Sequence, residues 1–262
     1  MPELPDVEIM KRYLEATSLH RKIRNVNVVN STVVKDTSLS ALERSLKGKE
    51  FKKVRRHGKN LFVILGSGGK TLLFHFGMSG GLEFCKRPGC KPKHSRVSFG
   101  FKNGGILHFV CTRMLGKVSL IDSVEAYLED RNIGPDVMSV PRERFVQILA
   151  VHRSSIKNLL MNQKYLAGLG NIYTDEVLFQ SRLHPQRRVD TLRREERETL
   201  YAGVRRVLDT AIEANADPAH MPESFLLNHR KKGCGCPRCG RKLESISSSG
   251  RTTWFCSRCQ AY

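Results

Sequence analysis

Two pairs of cysteines near the carboxyl end constrain the fold of this chain more than any other feature. Cys236 and Cys239 are separated by two residues, sixteen residues follow, and Cys256 and Cys259 repeat the spacing. Four thiolates on two hairpin turns complete the tetrahedral shell of Zn²⁺ and leave no position for a water. We therefore predict one structural zinc ion bound by these four cysteines, with Arg251 displayed on the turn 249–253 between them.

Disulfides in a secreted domain are the alternative for the same cysteines. No signal segment is recognisable at the start of the chain, and the other cysteines are scattered, which favours zinc and a cytoplasmic or nucleoid location. Cys85 and Cys90, with His94 beyond them, lack a fourth ligand at a usual spacing. We expect these two cysteines to be free thiols in a loop and not part of a second metal site.

The charge of the chain predicts a polyanionic partner. It has 45 Lys and Arg against 25 Asp and Glu, a net charge of +20. Residues 229–262 alone carry eight cations against one acid, Glu244, and residues 51–59 are purely basic. Nucleic acid fits this distribution best. No apolar run approaches the roughly 20 residues that a bilayer requires, so no membrane association is expected.

The amino-terminal sequence Met1-Pro2-Glu3-Leu4-Pro5 offers a nucleophile. Removal of Met1 would leave Pro2 with a secondary amine, and an α-amino group titrates at roughly pH 7.7 to 8.0, so part of it is unprotonated near neutrality. Such an amine condenses with a sugar to give an iminium, beside which Glu3 could move protons. The alternative is an ordinary chain start with Pro5 in the first turn of a helix.

The apolar pattern predicts an α+β protein. A helix follows Pro5, and short β-rich runs follow at 25–34, 61–65, 70–76, 97–101 and 106–110, which indicates a β-sandwich or barrel with a flanking helix. From about Pro141 the apolar residues recur at helical spacing. The predicted boundaries are a β-domain at 1–130, a linker at 131–142, a helical domain at 143–228 and a zinc finger at 229–262.

A glycine-bearing turn at Gly168-Leu169-Gly170 precedes Asn171. Such a turn presents backbone N–H groups to a phosphate, and Asn171 could be a phosphate ligand. Asn171 as a simple helix cap is the alternative.

Taken together, these segments resemble the formamidopyrimidine-DNA glycosylase and endonuclease VIII family of base-excision repair enzymes. The resemblance runs along the whole chain and rests on Pro2–Pro5, Arg56–Lys59, His75–Gly80, Leu169–Glu176 and the cysteine pairs with Arg251 between them. It implies a β-sandwich domain, a helix-two-turn-helix domain and a zinc finger. The implied partner is damaged double-stranded DNA with the damaged nucleotide flipped out, bound by a monomer.

The resemblance also implies roles for individual residues. Pro2 would attack C1′ of the damaged nucleoside, Glu3 would act as acid and base, and Glu176 would help to position the amine. We count Lys59 with these three as a catalytic residue. The resemblance also implies that Lys59, Asn171 and Arg251 would bind the phosphates that flank the lesion. His75 would contact a phosphate, with a buried structural histidine as the alternative.

Three further residues match family positions that fill the gap left by a flipped nucleotide: Met78, Arg113 and Leu115. Leu115 stands where many purine-directed members have Phe, within Cys111–Gly116, which departs from the usual Asp-Pro-Arg-Arg-Phe-Gly. The stretch Asp217–Gly233 is shorter than the loop that closes over 8-oxoguanine in other members. Both departures disfavour 8-oxoguanine and leave formamidopyrimidines, oxidised pyrimidines, hydantoins and abasic sites as candidate lesions.

The reaction that the resemblance implies is base removal followed by β- and δ-elimination through an iminium on Pro2. The protonated imine is the electron sink, so no redox cofactor is expected. Two alternatives remain at this stage: a non-catalytic zinc-finger DNA-binding protein, and a family member that only senses lesions.

Overall fold

The computed structural model describes two compact units of the chain. One comprises Met1–Pro2 and Asp6–Asn132, and the other comprises Glu3–Pro5 and Ile133–Tyr262. The described residues are 1–66, 70–87, 89–248, 250–260 and 262. Ser249, in the predicted finger turn, lies outside the described residues.

The first unit contains a β-sandwich, which confirms the predicted fold class. Its strands are β1 (Ile23–Val28), β2 (Phe51–His57), β3 (Asn60–Leu65), β4 (Thr71–His75), β5 (Gly80–Cys85), β6 (Ser95–Phe101), β7 (Ile106–Cys111) and β8 (Lys117–Ile121). One antiparallel sheet has the order β1-β6-β7-β5 and the other β2-β3-β4-β8. All neighbouring strands are hydrogen-bonded in antiparallel register.

An aromatic core fills the space between the two sheets. Side chains alternate between the faces of a strand, so every second residue points inward. Phe99 of β6 meets Phe51 of β2 and Phe74 of β4 edge to face, with ring centroids 5.9 and 5.8 Å apart. Val7 and Leu14 of helix α1 (Leu4–Ser18) join the same cluster, so the flanking helix packs on the sandwich as expected.

Two short helices of this unit were not expected from the sequence. Helix α2 (Leu39–Leu46) is capped by Ser38, and helix α3 (Val124–Asp130) by Ser123. In each case the serine hydroxyl accepts a hydrogen bond from a backbone N–H of the first turn, at 3.2 and 3.1 Å. Such caps stabilise helices too short to show a clear apolar period.

The prediction of two free thiols at Cys85 and Cys90 is wrong. These residues form a disulfide, with their Cα atoms 5.8 Å apart. Cys85 ends β5, and the separation of the two Cα atoms lies within the spacing that a disulfide requires, about 4.4–6.8 Å. Cys111 is buried in β7.

The second unit is helical and ends in a β-hairpin. Its helices are α4 (Arg142–Ala150), α5 (Ile156–Met161), α6 (Asn171–Gln180) and α7 (Arg194–Glu213), and its antiparallel strands are β9 (Glu244–Ser248) and β10 (Arg251–Phe255). Two 3₁₀ turns, Pro218–His220 and Leu226–His229, lie between α7 and β9. None of the helices in the described ranges combines the length and apolar character needed to cross a membrane.

Candidate nucleic-acid site and metal centre

The four predicted zinc ligands converge in the second unit. The Sγ atoms of Cys236, Cys239, Cys256 and Cys259 all lie within 4.8 Å of one another. The Sγ pairs Cys236–Cys259 and Cys239–Cys256 are 3.8 and 3.6 Å apart. Zn–S bonds of about 2.3 Å in a tetrahedron place neighbouring sulfurs about 3.8 Å apart. The residues therefore fit a structural zinc ion, whose role would be to stabilise the finger.

The finger packs on the far end of helix α6. Cys236 and Cys256 are buried in one cluster with Phe179 and Leu226. The Arg238 guanidinium lies 4.5 Å from the centroid of the Phe179 ring and donates to the Phe179 carbonyl at 3.2 Å. The metal-binding loops are thereby anchored to the helical part of the same unit.

Glu3 lies at the amino end of helix α6. Its carboxylate accepts hydrogen bonds from the backbone N–H groups of Gly170 (2.7 Å), Ile172 (2.9 Å) and Tyr173 (3.3 Å). The first turn of a helix leaves such N–H groups without intrahelical partners, and the helix dipole favours an anion there. Glu3 is 1 % exposed, so its carboxyl group is buried and anchored and is not a solvated terminal acid.

Gly170 is required by the close approach of Glu3. A Cβ at position 170 would lie 2.4 Å from the carboxyl carbon of Glu3. We expect Gly170→Ala to displace the carboxylate from the helix terminus and to lower the free energy of unfolding by about 2 kcal/mol. Urea denaturation measures this loss.

Two further variants test the cause of the Gly170→Ala effect. Gly66→Ala is the matched control, because the nearest atom that its Cβ would meet among the described residues is Lys52 Cδ, at 3.9 Å. In a Glu3→Ala background, Gly170→Ala should lower the free energy of unfolding by less than half as much as it does in the wild type, since the clashing carboxylate is gone. An undiminished cost in that background would assign the effect to the backbone and not to Glu3.

Asn171 and the finger strand meet beside this turn. Asn171 is the first residue of α6, with Gly170 in the cap position, so the side chain of Asn171 is not the helix cap. Its Nδ2 donates to the Thr252 carbonyl at 3.0 Å, and its Oδ1 accepts from Lys157 Nζ at 2.7 Å. Arg251 precedes Thr252 and is exposed. Asn171 and Arg251 are thus brought to one region of the unit, as a shared phosphate site requires.

Glu176 is fully buried in α6. Its carboxylate accepts from Gln180 Nε2 and from the backbone N–H of Leu227, both at 2.8 Å. Burial raises the pKa of Glu176 to about 7, against the opposing effect of these hydrogen bonds and of Arg230. The contacts of this carboxylate hold the turn Leu226–His229 on α6.

The first unit carries a separate group of cations. Lys59 lies in the β2–β3 turn, His75 ends β4, and Lys117 begins β8 in direct register with His75. Burial, then Lys117 and Lys59, lower the pKa of His75 to about 4. His75 Nδ1 accepts from the N–H of Gly77 at 3.2 Å, so the neutral ring carries its proton on Nε2. Lys117 was missed from the sequence, although it follows the predicted gap-filling segment directly.

The three predicted gap-filling residues lie on two loops that touch. The backbone N–H of Arg113 donates to Ser79 Oγ at 3.0 Å, next to Met78. Gly77 has φ +59°, and a Cβ there would lie 2.3 Å from the Leu115 carbonyl oxygen, so only glycine permits this approach. Met78 and Leu115 are 41 % and 56 % exposed. Met114, missed from the sequence, is 42 % exposed on the same loop.

Comparison with known proteins agrees with this arrangement over the whole chain. Three family models match: the formamidopyrimidine-DNA glycosylase N-terminal domain at residues 1–118, the formamidopyrimidine-DNA glycosylase H2TH domain at 133–222, and the zinc finger found in FPG and IleRS at 236–261. The formamidopyrimidine-DNA glycosylases of Pelotomaculum thermopropionicum and Streptococcus pneumoniae R6 are 34 % and 33 % identical, with 99 % of each chain covered.

Solved structures give the same result. The Lactococcus lactis Fpg in complex with DNA containing N7-benzyl-Fapy-dG has a TM-score of 0.90, and its complex with abasic-site DNA has a TM-score of 0.89. Both are 29 % identical to the chain, with 100 % of each chain covered. Sandwich, helical domain and four-cysteine finger together define a DNA glycosylase of base excision repair. The chain belongs to the formamidopyrimidine-DNA glycosylase family.

Proposed function

We propose that this glycosylase is bifunctional and removes oxidised bases, then cleaves the DNA strand through a covalent iminium on Pro2. The observation that best supports the proposal is the setting of Glu3, the residue that directly follows Pro2. Its buried carboxylate is held by the backbone N–H groups of Gly170, Ile172 and Tyr173, at the start of the helix that begins with Asn171. A carboxylate fixed beside the nucleophile is what a reaction with several proton transfers requires.

The proposed reaction begins with the unprotonated amine of Pro2, after removal of Met1. Its nitrogen forms a bond to C1′ while the bond from C1′ to the base breaks and the base leaves with a proton. Opening of the sugar ring gives an iminium, which has no N–H proton to lose and so withdraws electrons from the sugar. Loss of a C2′ proton then expels the 3′ phosphate, and a second elimination expels the 5′ phosphate. Glu3 would assist ring opening and proton transfer.

The remaining predicted residues would hold the DNA. Lys59, Asn171 and Arg251 offer donors to the phosphates flanking the lesion, and neutral His75 offers Nε2–H, while Glu176 would support the catalytic region by fixing α6. Met78, Arg113 and Leu115 would fill the gap that the flipped nucleotide leaves, recovering part of the few kcal/mol of lost stacking. We further propose that the protein acts as a monomer on DNA inside the cell.

Formamidopyrimidines are the lesion class we favour, with oxidised pyrimidines, hydantoins and abasic sites as further candidates. A mutant of the similar Lactococcus lactis Fpg has been crystallised with DNA containing Fapy-dG, and the Lactococcus lactis Fpg with abasic-site DNA. In the present chain Asp217–Gly233 contains two short 3₁₀ turns, and Leu115 occupies the position where Phe is frequent in the family it resembles. Both features support a weaker preference for 8-oxoguanine.

Borohydride trapping tests the proposal. Duplexes carrying a formamidopyrimidine, an oxidised pyrimidine, 8-oxoguanine or an abasic site are incubated with the protein and borohydride, and the adduct is mapped by mass spectrometry. We expect an adduct on Pro2, and a loss of strand cleavage of roughly 100-fold in Pro2→Gly.

Binding measurements on the same duplexes separate the alternatives. Arg251→Ala should weaken binding of lesion DNA and still form the adduct at saturating DNA. DNA binding without any adduct, despite a free Pro2 and bound zinc, would instead identify a binding or sensing protein.

A further inference from the structure

A buried lysine connects the candidate phosphate site to the zinc finger. Lys157 of α5 is fully buried, and its ammonium group donates to Asn171 Oδ1 (2.7 Å), Asp175 Oδ1 (2.5 Å) and Thr253 Oγ1 (2.6 Å). These three bonds use all three N–H groups of the ammonium. The lysine therefore has no donor left for a ligand, and its charge acts on its neighbours.

The first consequence concerns the amide of Asn171. Lys157 can only donate, so it must face the amide oxygen, while the Thr252 carbonyl can only accept, so it must face the amide nitrogen. These two partners exclude the flipped amide. The half-buried side chain of Asn171 is then left with one N–H and no strong acceptor to offer a ligand, which suits an anion such as a DNA phosphate.

The second consequence concerns the position of the finger strand. Asp175 Oδ2 accepts from Arg230 Nη2 at 2.8 Å and from the backbone N–H of Trp254 at 3.1 Å. Together with the Lys157–Thr253 bond, the Trp254–Asp175 bond fixes β10 to helices α5 and α6 at two successive residues. Arg251 begins β10, so Lys157 and Asp175 together set where the backbone of Arg251 lies relative to Asn171.

We propose that Lys157 and Asp175 are positioning residues for DNA binding: they orient the Asn171 amide as a donor and hold the strand that bears Arg251. The inference rests on the proposed role of Asn171 and Arg251 at DNA phosphates. Neither Lys157 nor Asp175 touches the DNA in this scheme, since Lys157 and Asp175 are 0 % and 1 % exposed.

A double-mutant cycle tests the orientation of the amide. Equilibrium binding to a duplex with an abasic-site analogue is measured for the wild type, Lys157→Met, Asn171→Ala and the double variant at one salt concentration. Each single variant should bind roughly tenfold more weakly, about the effect of one charge-assisted hydrogen bond. The double variant should lose less than about threefold beyond Asn171→Ala, because both changes remove the same oriented donor.

The choice of Met separates positioning from loss of folding. Lys157→Met leaves Asp175 paired with Arg230, so no buried anion is stranded. Zinc content and cooperative unfolding verify the fold. Arg206→Met, at an exposed residue of α7, removes one positive charge elsewhere and should change binding by less than about twofold.

If Lys157→Met does not fold, Thr253→Val supplies the readout. This variant keeps the ion pair between Lys157 and Asp175 and removes only the Thr253 hydroxyl, which accepts a hydrogen bond from Lys157. Binding should weaken about threefold when Arg251 is present and not when Arg251 is replaced by Ala.

Three results would overturn the inference. They are unchanged binding by Lys157→Met, full additivity with Asn171→Ala, and unchanged binding by Asn171→Ala itself. Failure of the proposed function is recognised separately, by the absence of a borohydride adduct in the wild type.

Discussion

Replacing Cys256 by Ser should unfold the zinc finger while the sandwich of the first unit stays folded. Apart from cysteines, the described residues of the finger bury two apolar side chains, Leu243 and Phe255. Structural zinc sites contribute an apparent binding free energy of about 10–16 kcal/mol at neutral pH, far more than burial of two such side chains, about 3–6 kcal/mol. Without the fourth thiolate zinc binding is lost, and the remaining apolar burial is too small to keep the β9–β10 hairpin folded.

Amide hydrogen exchange and zinc content measure this outcome. In Cys256→Ser the amides of β9 and β10 should lose protection, zinc should fall well below one ion per chain, and amides of β3 and β4 should be unchanged. Binding of abasic-site DNA should fall more than tenfold, because Arg251 and the Asn171 partner Thr252 both lie on β10.

Cys234 provides the matched control for the ligand assignment. It lies two residues before Cys236 and packs on the same cluster, but it is not one of the four cysteines whose Sγ atoms converge. Cys234→Ser should retain a full complement of zinc and Cys236→Ser should lose it. The reverse result would show that Cys234 is a ligand in place of Cys236.

The sequence predicted the parts of the fold whose cause is local. The cysteine spacing marks the finger because the metal constrains the loops directly, and apolar alternation marks strands such as β6. Strand β2 was missed because outward-facing Lys and Arg dominate it, with Phe51 and Val54 as its buried residues. Strand β5 begins with two glycines, and β8 is five residues long, so neither shows a clear period.

The sequence predicted those site residues whose chemistry can be recognised one residue at a time. Pro2 and Glu3 were chosen for their chemistry, but the N–H groups that hold Glu3 come from residues about 170 positions away. The sequence gives no sign that Lys157 is buried, since it lies between Ile156 and Asn158 in a helix of six residues. Its partners Asp175 and Thr253 are distant along the chain. Contacts between distant segments set these features, and spacing along the chain does not reveal them.

Glu176 should make the protein less stable as the pH rises. Burial raises the pKa of its carboxyl to about 7 from 4.5. A carboxyl with a raised pKa contributes its full stability below pH 4.5. This stability is lost as the pH rises from 4.5 to about 7, because the unfolded chain ionises the carboxyl over this range while the folded chain keeps it protonated. Between pH 5 and pH 9 the loss should be about 3 kcal/mol.

Glu176→Gln removes this titration, since glutamine is neutral at every pH and can still accept from the Leu227 N–H while Gln180 turns its amide. The variant should gain about 3 kcal/mol over the wild type on going from pH 5 to pH 9, as measured by urea denaturation at each pH. Glu195→Gln, at an exposed residue in the first turn of α7, is the control and should track the wild type at both pH values. A constant difference between Glu176→Gln and the wild type across this range would show that Glu176 is already ionised at pH 5, so that its hydrogen bonds with Gln180 and Leu227 outweigh the effect of burial.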